Sequence, residues 1–216
     1  MTMVSSWRAT DLRPWYGRGM EQFHHPRPAC VGRNSHLRPT DERRRLTDGL
    51  RGAVLEIGAG DGVKFLCYPD TVREISFAET DPFLLKTVQL ACGDGRVKPV
   101  VGDLTGLPLP DGALDAVVCS LVLCTAPDLA RALAELKRVL RPGGELRFYE
   151  HVRSGNPLTA AAERLVKPLW PRVSGGCHPG RDTLTAIEAA GFAVEDVSDV
   201  SFRAVSHVLG RAVTRR

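Results

Sequence analysis

A chain of 216 residues that is 43% hydrophobic can bury a full core and fits one domain with a decorated end, which excludes a disordered or fibrous protein. The formal charge of +4 comes largely from arginine; it forms no dense basic stripe with interleaved aromatics, so nucleic acid is not an expected partner, whereas an anionic ligand, a membrane surface or plain solubility all fit. The longest apolar stretch, Ala116 to Ala126, is about half of a bilayer span. The six scattered cysteines follow no secretory leader and read as reduced thiols, so a cytoplasmic protein without a transmembrane helix is expected.

Residues 1–40 are polar and broken by Pro14, Pro26, Pro28 and Pro39, with Trp7, Trp15, Tyr16 and Phe23 as aromatic anchors. They read as an N-terminal extension that either covers a ligand mouth, with Tyr16 as a candidate substrate contact, or docks on the core. His24, His25, Cys30 and His36 are metal-binding residue types, but their spacing matches no zinc pattern, and no metal is expected. The folded domain is taken as 41–216. Asp41 to Leu50 predicts a short amphipathic helix, and Val54 to Ile57 a buried parallel strand. Gly58, Gly60 and Gly62 follow at alternate positions around Ala59, letting the backbone turn sharply and come within contact distance of a ligand.

Gly62 to Leu66 should open the first helix. Glu74 to Glu79 carries the second strand, and Pro82 stands at the start of a helix over Phe83 to Ala91. Val97 to Val101 is the third strand; Leu114 to Leu123, the most apolar, belongs at the sheet centre. Apolar residues at helical spacing mark a helix over Asp128 to Leu140, stopped by Arg141-Pro142-Gly143-Gly144. Glu145 to His151 is the fifth strand. Residues 152–180, rich in Pro and Gly with an amphipathic piece from Thr159 to Val166, read as an insertion over the substrate pocket. Arg181 to Ala190 is helical, and Ala193 to Val200 with His207 to Thr214 forms an antiparallel closing pair. This alternation predicts an α/β, doubly wound, mostly parallel seven-stranded sheet closed by an antiparallel strand.

The glycine spacing is not that of a dinucleotide fingerprint, because the third glycine comes one residue early and an acid, Glu56, lies inside the strand end. The pattern resembles motif I of the class I S-adenosylmethionine (SAM) methyltransferases. Glu79, followed by Thr80, ends the second strand, where a carboxylate can accept both ribose hydroxyls. The alternative, an acid favouring the next helix N-terminus, suits Asp81 better. Gly102-Asp103-Leu104 closes the third strand, so that Asp103 can accept the adenine amino proton while Leu104 packs on the ring; Asp103 capping the turn before Gly106 is the bland alternative. Ser120, Leu121 and Cys124, at the end of the fourth strand, complete the expected cofactor contacts.

The resemblance narrows through Phe65 and Tyr68-Pro69, Val117-Val118-Cys119 with Leu121-Val122-Leu123-Cys124, and Arg138-Val139-Leu140-Arg141-Pro142-Gly143-Gly144. Phe148 with Glu150-His151-Val152, and Gly176-Cys177 with Arg181-Asp182-Thr183, are the discriminating segments. Together they are similar to the alkyl-thiol S-methyltransferase (methyltransferase-like 7) family and, more loosely, to bacterial ubiquinone/menaquinone-type and phospholipid N-methyltransferases. The usual Gly-Thr-Gly turn is Gly60-Asp61-Gly62 here. The resemblance implies a Rossmann-like fold, SAM as methyl donor and a small, mainly apolar acceptor whose thiol sulfur is methylated. An N- or O-methyltransferase of a lipid or secondary metabolite, or a SAM-fold protein without methyl transfer, are the competing readings. His151 is the candidate for orienting or deprotonating the acceptor, or else holds Glu150 or a backbone carbonyl. Cys177 lines the pocket with Trp170, or is a small buried hydrophobe.

Overall fold

Side chains alternate between the two faces of a strand, and the apolar runs of this chain carry hydrophobic residues at successive positions, so a sheet built from them needs a packed layer on each side. The computed structural model describes residues 41–59, 63–78, 95–100, 102, 104–155, 157–166, 177–178, 180–202 and 205–215. Its strands are β1 (Gly52–Ile57), β2 (Val72–Ala78), β3 (Val97–Pro99), β4 (Leu114–Ser120), β5 (Leu140–His151), β6 (Phe192–Phe202) and β7 (Val205–Thr214). They form one seven-stranded sheet in the order β3-β2-β1-β4-β5-β7-β6. The first five run parallel, β7 pairs antiparallel with β5, and β6 antiparallel with β7. This is the doubly wound, mostly parallel arrangement expected. Its strand order reverses between β1 and β4, leaving a crevice at their carboxyl ends where ligands of such sheets bind.

On one face Leu55, Ile57, Val117, Cys119, Leu146 and Phe148 pack against Leu133, Leu136 and Val139 of helix α2 (Leu129–Val139). Val54, Ile75, Phe77 and Val118 meet Leu46, Phe65 and Tyr68 on the other, beside helix α1 (Asp41–Thr47). Helix α3 spans Pro157–Val166 and α4 Thr183–Ala189. Asp128 and Asp182 cap α2 and α4, each carboxylate accepting the backbone N–H three residues on.

Several expected boundaries change: β5 starts at Leu140 rather than Glu145 and so takes in Arg141-Pro142-Gly143-Gly144, β3 stops at Pro99 short of Val101, and β6 and β7 are longer than expected. Two further changes have a local cause. The helix predicted from Gly62 is only a 3₁₀ turn over Val63–Cys67 among the described residues, because Pro69 has no amide to continue a helix and disfavours helical backbone at Tyr68. Strand β4 ends at Ser120, three residues before Leu123, because Leu121 turns into the left-handed region at φ 59°. The N-terminal extension, the helix expected over Phe83 to Ala91, and residues 167–176 lie outside the described residues.

Candidate active site

Glycine at 58 is required by its surroundings. The residue sits at φ 69°, and a Cβ there would lie 2.4 Å from the Val122 side chain that follows β4. The carboxyl ends of β1 and β4 thus approach closely at the switch point, with Ile57 opposite Cys119 and the half-buried Ser120 and Leu121 just beyond. A bare backbone at Gly58, a buried Ala59 and these strand ends fit a nucleoside-bearing cofactor such as SAM, whose amino-acid portion needs unobstructed backbone.

Glu56 does not face that crevice. It is fully buried on the opposite face from Leu55 and Ile57, where it ion-pairs with Lys64 and accepts the Tyr68 hydroxyl. Lys64, itself 4% exposed, also lies 3.4 Å from the Gly58 carbonyl. Glu56, which the motif resemblance makes an expected cofactor contact, braces the glycine turn from beneath through Lys64 and Tyr68. Burial, then the Glu56 carboxylate, push the Tyr68 phenol well above its ordinary range, so it stays a donor to Glu56. Gly102 packs tightly, a Cβ there meeting Pro108 at 2.7 Å, and Leu104 is half-buried against the core. Gly60, Gly62, Glu79, Thr80, Asp103, Tyr16 and Trp170 fall outside the described residues.

At the ends of β4 and β5 the chain makes a second construction. Leu121 N–H donates to the Tyr149 carbonyl at 2.7 Å, and its left-handed backbone turns the next three amides inward. Val122, Leu123 and Cys124 each donate a backbone N–H to the buried Glu150 carboxylate at 3.0 Å. Burial raises the Glu150 pKa, and those three amides pull it partly back. Glu150 and His151 are neighbours on a strand and point to opposite faces, so His151 does not hold Glu150, one of its expected alternatives.

His151 instead meets two thiols. Its Nδ1 lies 2.9 Å from Cys177 Sγ and 3.7 Å from Cys124 Sγ, and the two sulfurs are 3.6 Å apart. Both cysteines are buried, and the Cys177 sulfur, burial and the Glu150 carboxylate hold the Cys124 thiol far above its ordinary pKa. The His207 ring stands 4.4 Å from that of His151 across the β5–β7 pair, and itself stacks on Tyr149 at 5.0 Å. Backbone contacts lock the corner together: His178 N–H donates to the Cys124 carbonyl, and the Arg181 guanidinium to the carbonyls of Leu123 and Ala126. Sequence reasoning singled out His151, Cys124 and Cys177 separately and missed that they meet. It also missed Lys64 as the counter-ion of Glu56 and Glu150 as the clamp of the loop after β4.

The chain is similar to known proteins in sequence and in fold. Residues 55–148 match a family described as a methyltransferase domain. The rat thiol S-methyltransferase TMT1B is 32% identical over 145 residues, covering 64% of this chain and 59% of that protein. Its human counterpart is 31% identical over 180 residues, covering 76% of this chain and 72% of its own length. A SAM-dependent methyltransferase structure from Methanosarcina mazei superimposes with a TM-score of 0.65 at 16% identity, over 83% of this chain and 99% of the other. The extended identity to the mammalian proteins, together with the methyltransferase-domain match, leads to one assignment: the chain belongs to the thiol S-methyltransferase family of SAM-dependent methyltransferases.

Proposed function

We propose that the protein transfers the methyl group of SAM to the sulfur of a small, mainly apolar thiol. The observation that carries this reading is the sulfur- and imidazole-lined corner at the ends of β4 and β5, beside the switch-point crevice, in a chain related to thiol S-methyltransferases. SAM, when bound, supplies a methyl group already activated on a sulfonium, so the protein's work is to orient, to exclude water and to present a deprotonated acceptor.

On this reading Gly58 and Ala59 give way to the amino-acid portion of SAM, Glu79 with Thr80 takes the ribose, Asp103 with Leu104 takes the adenine, and Ser120 and Leu121 flank the donor. His151 orients the acceptor sulfur and favours its ionised form. Residues 152–180 with Trp170, and the 1–40 arm with Tyr16, cover an apolar acceptor; the reducing cytoplasm keeps Cys124 and Cys177 out of a disulfide.

The test is a panel of aliphatic and aromatic thiols, a phenol and an amine, incubated with SAM and read by mass spectrometry for addition of one methyl group. Turnover of thiols supports the reading; inert thiols beside a methylated phenol or amine overturn it. His151→Ala should lose roughly 10²–10⁴-fold in kcat for a thiol and recover part of it at high pH, where the acceptor ionises unaided. Glu79→Ala should weaken S-adenosylhomocysteine binding by about 1–3 kcal/mol in calorimetry, through lost ribose hydrogen bonds.

A further inference from the structure

Three soft donor atoms converge at the corner described above, each from a different part of the chain: Cys124 after β4, His151 at the end of β5 and Cys177 ahead of α4. A zinc ion bound at about 2.3 Å to sulfur and about 2.0–2.1 Å to nitrogen holds two tetrahedral sulfur ligands about 3.8 Å apart, and sulfur and nitrogen about 3.6 Å apart. The Cys124–Cys177 separation of 3.6 Å and the Cys124–His151 separation of 3.7 Å meet those values. The Cys177–His151 separation of 2.9 Å has to open by about 0.7 Å, within reach of a small rotation of the cysteine side chain.

The geometry points to a zinc site formed by Cys124 Sγ, His151 Nδ1 and Cys177 Sγ, with its fourth position taken by the sulfur of the acceptor. The last part rests on the thiol reading above; the metal site does not. Two thiolates neutralise a divalent cation, and thiolate with imidazole is the ligand set that suits zinc over magnesium or calcium. Three protein ligands, and no fourth within reach among the described residues, is the pattern of zinc sites that keep a position for substrate. Supporting contacts of the kind that orient metal ligands are already in place. Glu150 fixes the Cys124 backbone, the His178 N–H ties the Cys177 segment to the Cys124 carbonyl, and His207 packs on the His151 ring. The ligands lie far apart in sequence, 53 residues separating the two cysteines, which is why spacing patterns gave no sign of a metal.

Such an ion would do for the acceptor what a single imidazole does less well. The thiol S–H ionises on binding and its proton leaves to solvent. An electron pair on the metal-held sulfur then forms the new S–CH₃ bond as the sulfonium C–S bond breaks, and the electron pair of that bond stays on the donor's sulfur, now a thioether. The methylated acceptor is a neutral thioether, a weaker ligand than a thiolate, and leaves the ion.

The test uses the full-length protein reduced with a phosphine, loaded with Zn²⁺ or Co²⁺ and freed of excess metal by gel filtration. One equivalent of zinc by elemental analysis, and visible cobalt bands of tetrahedral intensity with sulfur-to-cobalt charge transfer, are expected. Cys124→Ser and Cys177→Ser, each checked for folding by circular dichroism, should weaken binding by more than the roughly 100-fold that loss of a supporting residue costs. Metal content no higher in the wild type than in a Cys124→Ser/Cys177→Ser double variant overturns the site, even if thiols are methylated. In the second arm, hexanethiol added to the cobalt protein without SAM should intensify the charge-transfer band, while hexanol and hexylamine leave it unchanged. A cobalt site indifferent to hexanethiol overturns the acceptor as fourth ligand and leaves the metal site standing; absence of thiol methylation by a protein that binds the metal overturns the thiol reading, and the acceptor as fourth ligand with it, but not the metal site.

Discussion

At Glu150 the cost of burying a carboxylate is offset by three backbone donors, and the balance fixes the loop that carries Cys124. Glu150→Ala strands those amides in the core and should lower stability by about 2–4 kcal/mol, read as a shift of the urea midpoint at unchanged slope. Gly58 carries a different constraint. Gly58→Ala combines a left-handed backbone with a side chain set against Val122, and should weaken S-adenosylhomocysteine binding in calorimetry by at least about tenfold, because the turn can relax only into the crevice. The importance of Gly58 was legible because a glycine after an apolar strand has few other uses. The role of Glu150 was not: an acid beside a histidine looks like its partner, and only the pairing of β4 with β5 reveals which backbone amides lie beneath it. The partners of Glu56 were hidden in the same way, since nothing local says that Lys64 and Tyr68 fold back onto it.

Among the elements, those with strong periodicity were legible and those ended by tertiary contacts were not. Helix α2 declares itself by buried Ala132, Leu133, Leu136 and Val139 and by the Asp128 cap. The end of β4 depends on Leu121 and Glu150, and the short 3₁₀ turn on Pro69, features that compete with apolar patterning over a few residues. Between elements, Arg138 of α2 joins Glu135 and the carbonyls of Leu107 and Leu109, and Glu135 accepts the Leu107 N–H, so the loop before β4 is fastened to the helix. The hydrogen bond from Arg138, with that amide, holds the Glu135 carboxyl below its ordinary range. A depressed folded value adds stability that is complete above the unfolded pKa of about 4.3 and is lost as pH falls through the folded one. The wild type should therefore lose more stability than Glu135→Gln on acidification below that pH, measured as urea midpoints across an acid series. In the sheet, Gly210 faces Phe148, and a Cβ there would lie 2.4 Å from the ring and 2.7 Å from the Asp196 carbonyl. Gly210→Ala should cost about 1–3 kcal/mol and lower Tm, because a backbone carbonyl cannot step aside as a flexible side chain does.

At the scale of the molecule the fold class followed from the regular alternation of apolar runs and helices, whereas the chemistry at the corner depends on which loops the sheet brings together. Residues 124, 151 and 177 meet because β4 and β5 are neighbours and the chain ahead of α4 folds back over their ends. The sheet's two outer strands differ: β3 is short and ends in Pro99, a poor template for further pairing, while β6 pairs along its length only with β7. Strand β7 is thus the keystone, filling the gap between β5 and β6. That placement has a consequence during synthesis. As the chain is made from its N-terminus, β5 leaves the ribosome with one long edge open and stays so while α3, α4 and β6 emerge, a period in which another nascent chain or a chaperone can pair with it. Only when β7 arrives does that edge close, and only then does His207 reach His151, so the corner holding the two cysteines is among the last parts of the protein to be finished.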